Sequence, residues 1–250
     1  MEVSLPVVIY ASLSVLYCLA LAAGLFGKKG AAKGLGIAGF WFCAASVAAF
    51  IIQEKRLPLF GPFESILMII FCLGGLGLLS RGLPGSRTAY AMDLWTFVVI
   101  LVLLGIQTQF PMAFNPDFYM YDNLWVNLFF HLRLVATGTF IHAAILVALG
   151  AWIKGRTQDP SAENILHRGR NYLLTGIALF LTSEWSGSLW CLNWLGDSWQ
   201  WSRGFFRGSV VFLLVMTACH LPRSLYASMA VRSVACSLPG LFCLWMIFFH

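Results

Sequence analysis

Eight apolar runs, each near the twenty residues needed to cross a hydrocarbon layer of roughly 30 Å, alternate with short polar loops along the 250 residues of the chain. They cover residues 5–26, 34–52, 63–80, 91–107, 124–152, 172–190, 204–220 and 231–249. Backbone polar groups in lipid must be satisfied within the segment, so runs of this length can span only as helices. The expected fold class is therefore all-α: a polytopic integral membrane protein of about eight transmembrane helices, with one membrane domain over residues 1–250. Composition agrees, because charged residues make up 10% of the chain against roughly 25% in soluble domains. A soluble globular reading is excluded.

The formal charge of +6 does not point to nucleic acid, since no run of Lys and Arg exceeds the two of Lys28-Lys29 and the basic residues punctuate apolar stretches. Seven cysteines are an odd number with no CxxC spacing, so neither a disulfide framework nor a zinc site is implied, and CxxCH is absent. The first apolar run is preceded by Glu2 and followed by Lys28, Lys29 and Lys33, the reverse of a cleavable signal, and reads as a retained span.

Orientation follows from the basic residues. Loops 1-2, 3-4, 5-6 and 7-8 hold 11 Lys and Arg, whereas loops 2-3, 4-5, 6-7 and the termini hold 4, and Arg133 lies inside the fifth run. The positive-inside rule then places the first set in the cytoplasm and both termini outside. Apart from Glu64 and Asp93 near helix ends, acids are expected to be missing from the spans, which disfavours a solute transporter with buried acids at broken helices.

The outer loop 6-7 is the most unusual stretch: Trp185, Trp190, Trp194, Trp199 and Trp201 place five of ten tryptophans within 17 residues. An aromatic belt at the headgroup level is one reading. The other is a flat platform: indoles beside Gly187 and Gly196 offer a shelf for a planar macrocycle, and Arg203 and Arg207 can pair with acidic groups at its edge, a description that fits haem. Haem also needs axial imidazole. His131 lies about seven residues into the fifth run from its outer end, and His250 closes the eighth, so both fall at the depth of the tryptophans. His220 is near the inner end of the seventh run. His142, eleven residues beyond His131, shares its helical face about 16 Å deeper and reads as a structural hydrogen-bonder. His167, in the basic inner loop, reads as solvated.

The stretch GSLWCLNWLGDSWQW at 187–201 resembles the WWD domain of cytochrome c assembly proteins of the CcsA, ResC and CcmC type, whose pattern runs G-x-x-W and then W-G-x-x-W-x-W-D. Gly187, Trp190, Gly196, Trp199 and Trp201 match it. Phe63-Glu64-Ser65-Ile66 is similar to the family's Y-E-S-L, and Trp125 with Phe130-His131-Leu132 is similar to its W-L-M-M-H-V helix. Ala218-Cys-His220-Leu-Pro-Arg223 resembles Y-L-H-T-R, and Arg232-Ser233 resembles R-S-A. The likeness covers residues 58–250, about three quarters of the chain. Leu195 stands where the family has the Trp of W-G, and Ser202-Arg-Gly-Phe205 stands where it has D-P-K-E, so the loop at about 185–207 is a degenerate WWD-like one in a short member.

The resemblance implies a haem-handling protein of the bacterial inner membrane that presents non-covalent haem b on the periplasmic side for attachment to the CxxCH of an apocytochrome c. It would do so as part of a haem-lyase complex with a ResB/CcsB-type membrane partner. It makes His131 an external axial ligand and His220 a transmembrane one, while His250 occupies the place of the second external ligand without the family's G-L-H-S-Y-G context. A b-type dihaem subunit exchanging electrons with quinone is the alternative, with His131 and His250 as one pair and His142 and His220 as the other.

Overall fold

Every apolar run becomes a helix. The computed structural model describes residues 4–80, 86–114, 122–157, 161–196, 203–222 and 228–248, and within them are eight helices and no strand. They are α1 (Leu5–Leu25), α2 (Lys29–Glu54), α3 (Pro62–Leu79), α4 (Ser86–Gln107), α5 (Leu124–Thr157), α6 (Ser161–Leu195), α7 (Arg203–Cys219) and α8 (Met229–Phe248). Boundaries fall where backbone chemistry demands. Prolines stand in the first turns of α1 and α3, where a missing N–H costs nothing, and Gly27 takes the left-handed conformation (φ 75°) just beyond α1. Six of the helices, α1 to α5 and α8, are long and apolar enough to cross a membrane. This is the architecture of a multi-pass helical membrane protein.

Within these helices the polar side chains are largely self-satisfied. Thr96 donates to the Met92 carbonyl, Thr139 to Val135, Thr217 to Leu213 and Ser237 to Ser233, each one turn back on its own helix.

The helices divide into two compact units, residues 1–116 and 117–250. In the first unit α1 packs on α2 and α4, and α3 packs on the same two helices. Its α2–α3 connection is pinned by a bidentate ion pair: Arg56 donates to the two carboxylate oxygens of Glu64 at 2.7 and 2.8 Å. Ser65 donates to the Leu59 carbonyl at 3.4 Å, closing the same turn.

In the second unit α5 is central, flanked by α6 and α8, and α7 packs on α8 and α6. α5 and α6 form a long antiparallel hairpin. At one end the Trp125 and Trp185 rings meet edge-to-face and Ser183 donates to the Phe129 carbonyl at 2.7 Å. Midway Gly176 lies under the Phe140 ring, and at the far end Lys154 pairs with Glu163. The core between them is built on Phe140, Phe180, Leu173, Val211, Val215 and Cys243.

The α6 helix departs most from the sequence reading. The apolar run at 172–190 is embedded in a helix of 35 residues, so His167 and most of the tryptophan stretch lie on helix and not in loops. At 1.5 Å per residue α6 is about 50 Å long, well beyond a hydrocarbon core of roughly 30 Å.

Candidate functional site

The residues singled out from the sequence gather mainly at one end of the second unit, and the direction of each helix explains why. α6 runs antiparallel to α5, which sets its C-terminal tryptophans beside the first turns of α5. α8 is also antiparallel to α5: Gly240 lies against Ile141, and the Cys243 thiol lies nearer the start of α5, against Thr137 and close to Arg133 and Glu184. α7 brings its N-terminus to the same end, with Gly208 against the Glu184 carboxylate and Arg207 over the Trp245 ring at 5.1 Å.

His131 stands in the third turn of α5, half-buried, and makes no hydrogen bond among the described residues; its Nδ1 is fully enclosed. Trp190 is half-buried on α6, and its indole Nε1 is enclosed with no hydrogen-bond partner among the described residues. Both are costly arrangements for polar atoms shut away from water. Trp185 and Trp194 are 60% and 57% exposed on the same stretch of helix. Gly187 is no shelf: a Cβ there would come within 2.7 Å of the Phe129 ring, so this position serves close packing of α6 on α5. Gly196, at φ 70°, ends the helix one residue after Leu195.

Arg203 opens α7, and its side chain lies outside the described residues, as do Trp199, Trp201 and His250 altogether. Phe248, the last described residue of α8, belongs to the His131 end of α5 by the antiparallel register. His220 does not join this group. It follows the last residue of α7 at the opposite end, exposed, with Nδ1 2.9 Å from the Met216 carbonyl. His142 is fully buried in the α5–α6 interface, its ring edge-on to Tyr172 at 4.8 Å.

Sequence reasoning missed the charged pair beneath this end. Arg133 donates to the carboxylate of Glu184, and its guanidinium lies 4.1 Å from the centre of the Phe129 ring. The expectation that acids within the spans stop at Glu64 and Asp93 is thereby corrected. Glu184 sits inside α6 with its side chain 28% exposed, and the signal for it was plain: a lone acid within an apolar run, opposite a lone base within another. Among the described residues no group of three His, Cys, Asp or Glu is placed to hold a bare metal ion.

Fold and site together define a multi-pass helical membrane protein with a polar, aromatic-rich end on its second unit. No protein-family model, curated protein or solved structure matches the chain.

Proposed function

We propose that this end of the second unit handles haem, presenting it outside the membrane for attachment to the CxxCH of an apocytochrome c, with a ResB/CcsB-type membrane protein as partner. The observation that carries the reading is His131: a half-buried imidazole with no hydrogen bond among the described residues, at the end of the unit where α6 carries its tryptophans, keeps a nitrogen lone pair available to iron. Trp190 and Trp194 would flank the macrocycle, and Arg207, joined by Arg203, would take its propionates through charge-assisted hydrogen bonds. Trp199 and Trp201 complete the set in the WWD-like stretch at about 185–207, and His250, at the end of the eighth run, would be the second external ligand. His220 would serve a separate transmembrane site. When bound, haem supplies the vinyl groups that become thioethers with the apoprotein thiols. The chain's own residues bind it, orient it and hold one face.

The same reading gives eight crossings. α6 lies along α5 for most of its length, and α7 and α8 complete the bundle, so all four helices of the second unit would traverse together. With both termini periplasmic, the basic loops stay in the cytoplasm of a bacterial inner membrane. A dihaem electron-transfer subunit is less well supported, because the His142 ring is fully buried and packed edge-on against Tyr172.

Two measurements test this. A pyridine haemochrome assay on the purified full-length protein is expected to detect haem b that organic extraction removes. Protein free of haem after expression with an ample haem supply would end the proposal. Alkaline phosphatase fused at Gly196 is expected to be active and a fusion at Gln158 inactive; the reverse pattern would put the tryptophans on the wrong side for delivery.

A further inference from the structure

The first unit holds a small, partly open cavity, with polar groups among an apolar lining, that the haem reading does not use. About 10 Å³ in volume, it is lined by Tyr17 of α1, Gly36 of α2, Gly77 of α3 and Asp93 and Thr96 of α4. Tyr17 is 1% exposed, and its buried hydroxyl has no hydrogen-bond partner among the described residues. The ring cannot swing aside to find one. A Cβ on Gly39 would lie 3.0 Å from its Cζ, and the Phe97 ring stands 5.8 Å away on the other helix.

A dry internal void is ordinarily lined by apolar groups, whereas a polar one with room for about one probe sphere and two to four polar partners holds an ordered water. Both conditions are met. Tyr17 brings an O–H with nowhere else to go, Asp93 brings a half-buried carboxylate, and Thr96 brings hydroxyl lone pairs, its proton being committed to the Met92 carbonyl at 2.9 Å. The site lies seven residues up α1 from Gly24, whose carbonyl accepts from Tyr90 beneath the Lys29 ammonium, so it is about 10 Å in from the basic end of these helices. At that depth in a bilayer bulk water is scarce, and a polar group must be met by a resident partner.

We infer that this cavity is a binding site for one structural water, which accepts from the Tyr17 hydroxyl and donates to Asp93 and Thr96, joining α1 to α4. The glycines of α2 and α3 are what leave it room: side chains at Gly36 and Gly77 would reach toward Phe97 and Thr96.

Radiolytic hydroxyl labelling of the full-length protein in lipid nanodiscs, started after dilution into water enriched in oxygen-18, reads this directly. A bound internal water labels the ring beside it even where bulk solvent is excluded, and exchanges isotope slowly. Tyr17 is expected to be labelled, with delayed uptake of the heavy isotope. In Gly77→Ala the label at Tyr17 is expected to fall to background while that at Tyr172 is unchanged. This variant is sterically mild, because its Cβ would lie 3.7 Å from Thr96 Cγ2 and 3.9 Å from Thr96 Oγ1. An unlabelled Tyr17 in the parent protein, or a label that survives Gly77→Ala, overturns the inference. A second readout is the sign of the change in Tm of Tyr17→Phe: loss of a hydroxyl bonded to water lowers it, whereas loss of a hydroxyl stranded in a dry void leaves it unchanged or raises it, which would also overturn the inference.

Discussion

Glu64→Leu is expected to destabilise the first unit by about 3 to 5 kcal/mol, the cost of removing one partner from a buried ion pair. Glu64 is 0% exposed and takes two guanidinium hydrogen bonds at 2.7 and 2.8 Å, with a longer one from the Phe60 amide at 3.4 Å. Without it the buried Arg56 guanidinium, 4.8 Å from the centre of the Phe50 ring, loses its bidentate carboxylate. The double variant Arg56→Met with Glu64→Leu should recover most of the loss, because exchanging a buried pair for apolar groups of like volume is close to neutral. Cys43 reports locally: its thiol is buried and donates to the Leu67 carbonyl at 3.6 Å, so its reactivity with a maleimide dye during heating follows the opening of this unit. A double variant as unstable as the single would show that charge burial is not the cause.

His131→Ala is expected to abolish the low-spin spectrum of bound haem and weaken retention at least about tenfold, since one decade corresponds to about 1.4 kcal/mol. The reason is coordination: loss of one axial imidazole opens a position on iron and moves the spectrum towards high spin. Added imidazole should restore the low-spin bands. His220→Ala, at the other end of the unit, should leave those bands in place. A wild-type spectrum in His131→Ala would remove the residue on which the haem reading stands.

The positions of all eight helices were legible because hydrophobicity and spanning length are the same physical constraint. The lengths of α5 and α6 were not. Hydropathy reports which solvent a segment can face, whereas a helix persists for as long as its backbone is undisturbed, and Glu163, Arg168 and Arg170 continue α6 into polar surroundings without breaking it. The tryptophan stretch read as a loop because the apolar run stops near residue 190, yet α6 continues to Leu195, and Gly187 within it lets Phe129 approach. For the Arg133–Glu184 pair the two lone charges were legible but their pairing was not: they lie 51 residues apart, and the register of the α5–α6 hairpin brings them together. His131 was found because an imidazole near a span end is expensive enough to need an explanation.

The hydroxyls that turn back onto their own helices bear on the order in which this protein is made. Thr96, Thr139 and Ser237 enter lipid already hydrogen-bonded, so the segments carrying them can be released into the bilayer one at a time. Arg56 and Glu64, eight residues apart, meet as soon as their connection forms. Arg133 and Ser183 are different: each bonds across the α5–α6 interface. A nascent chain would therefore hold α5 at the insertion machinery until α6 emerges, and the second unit would begin its life as a hairpin delivered whole.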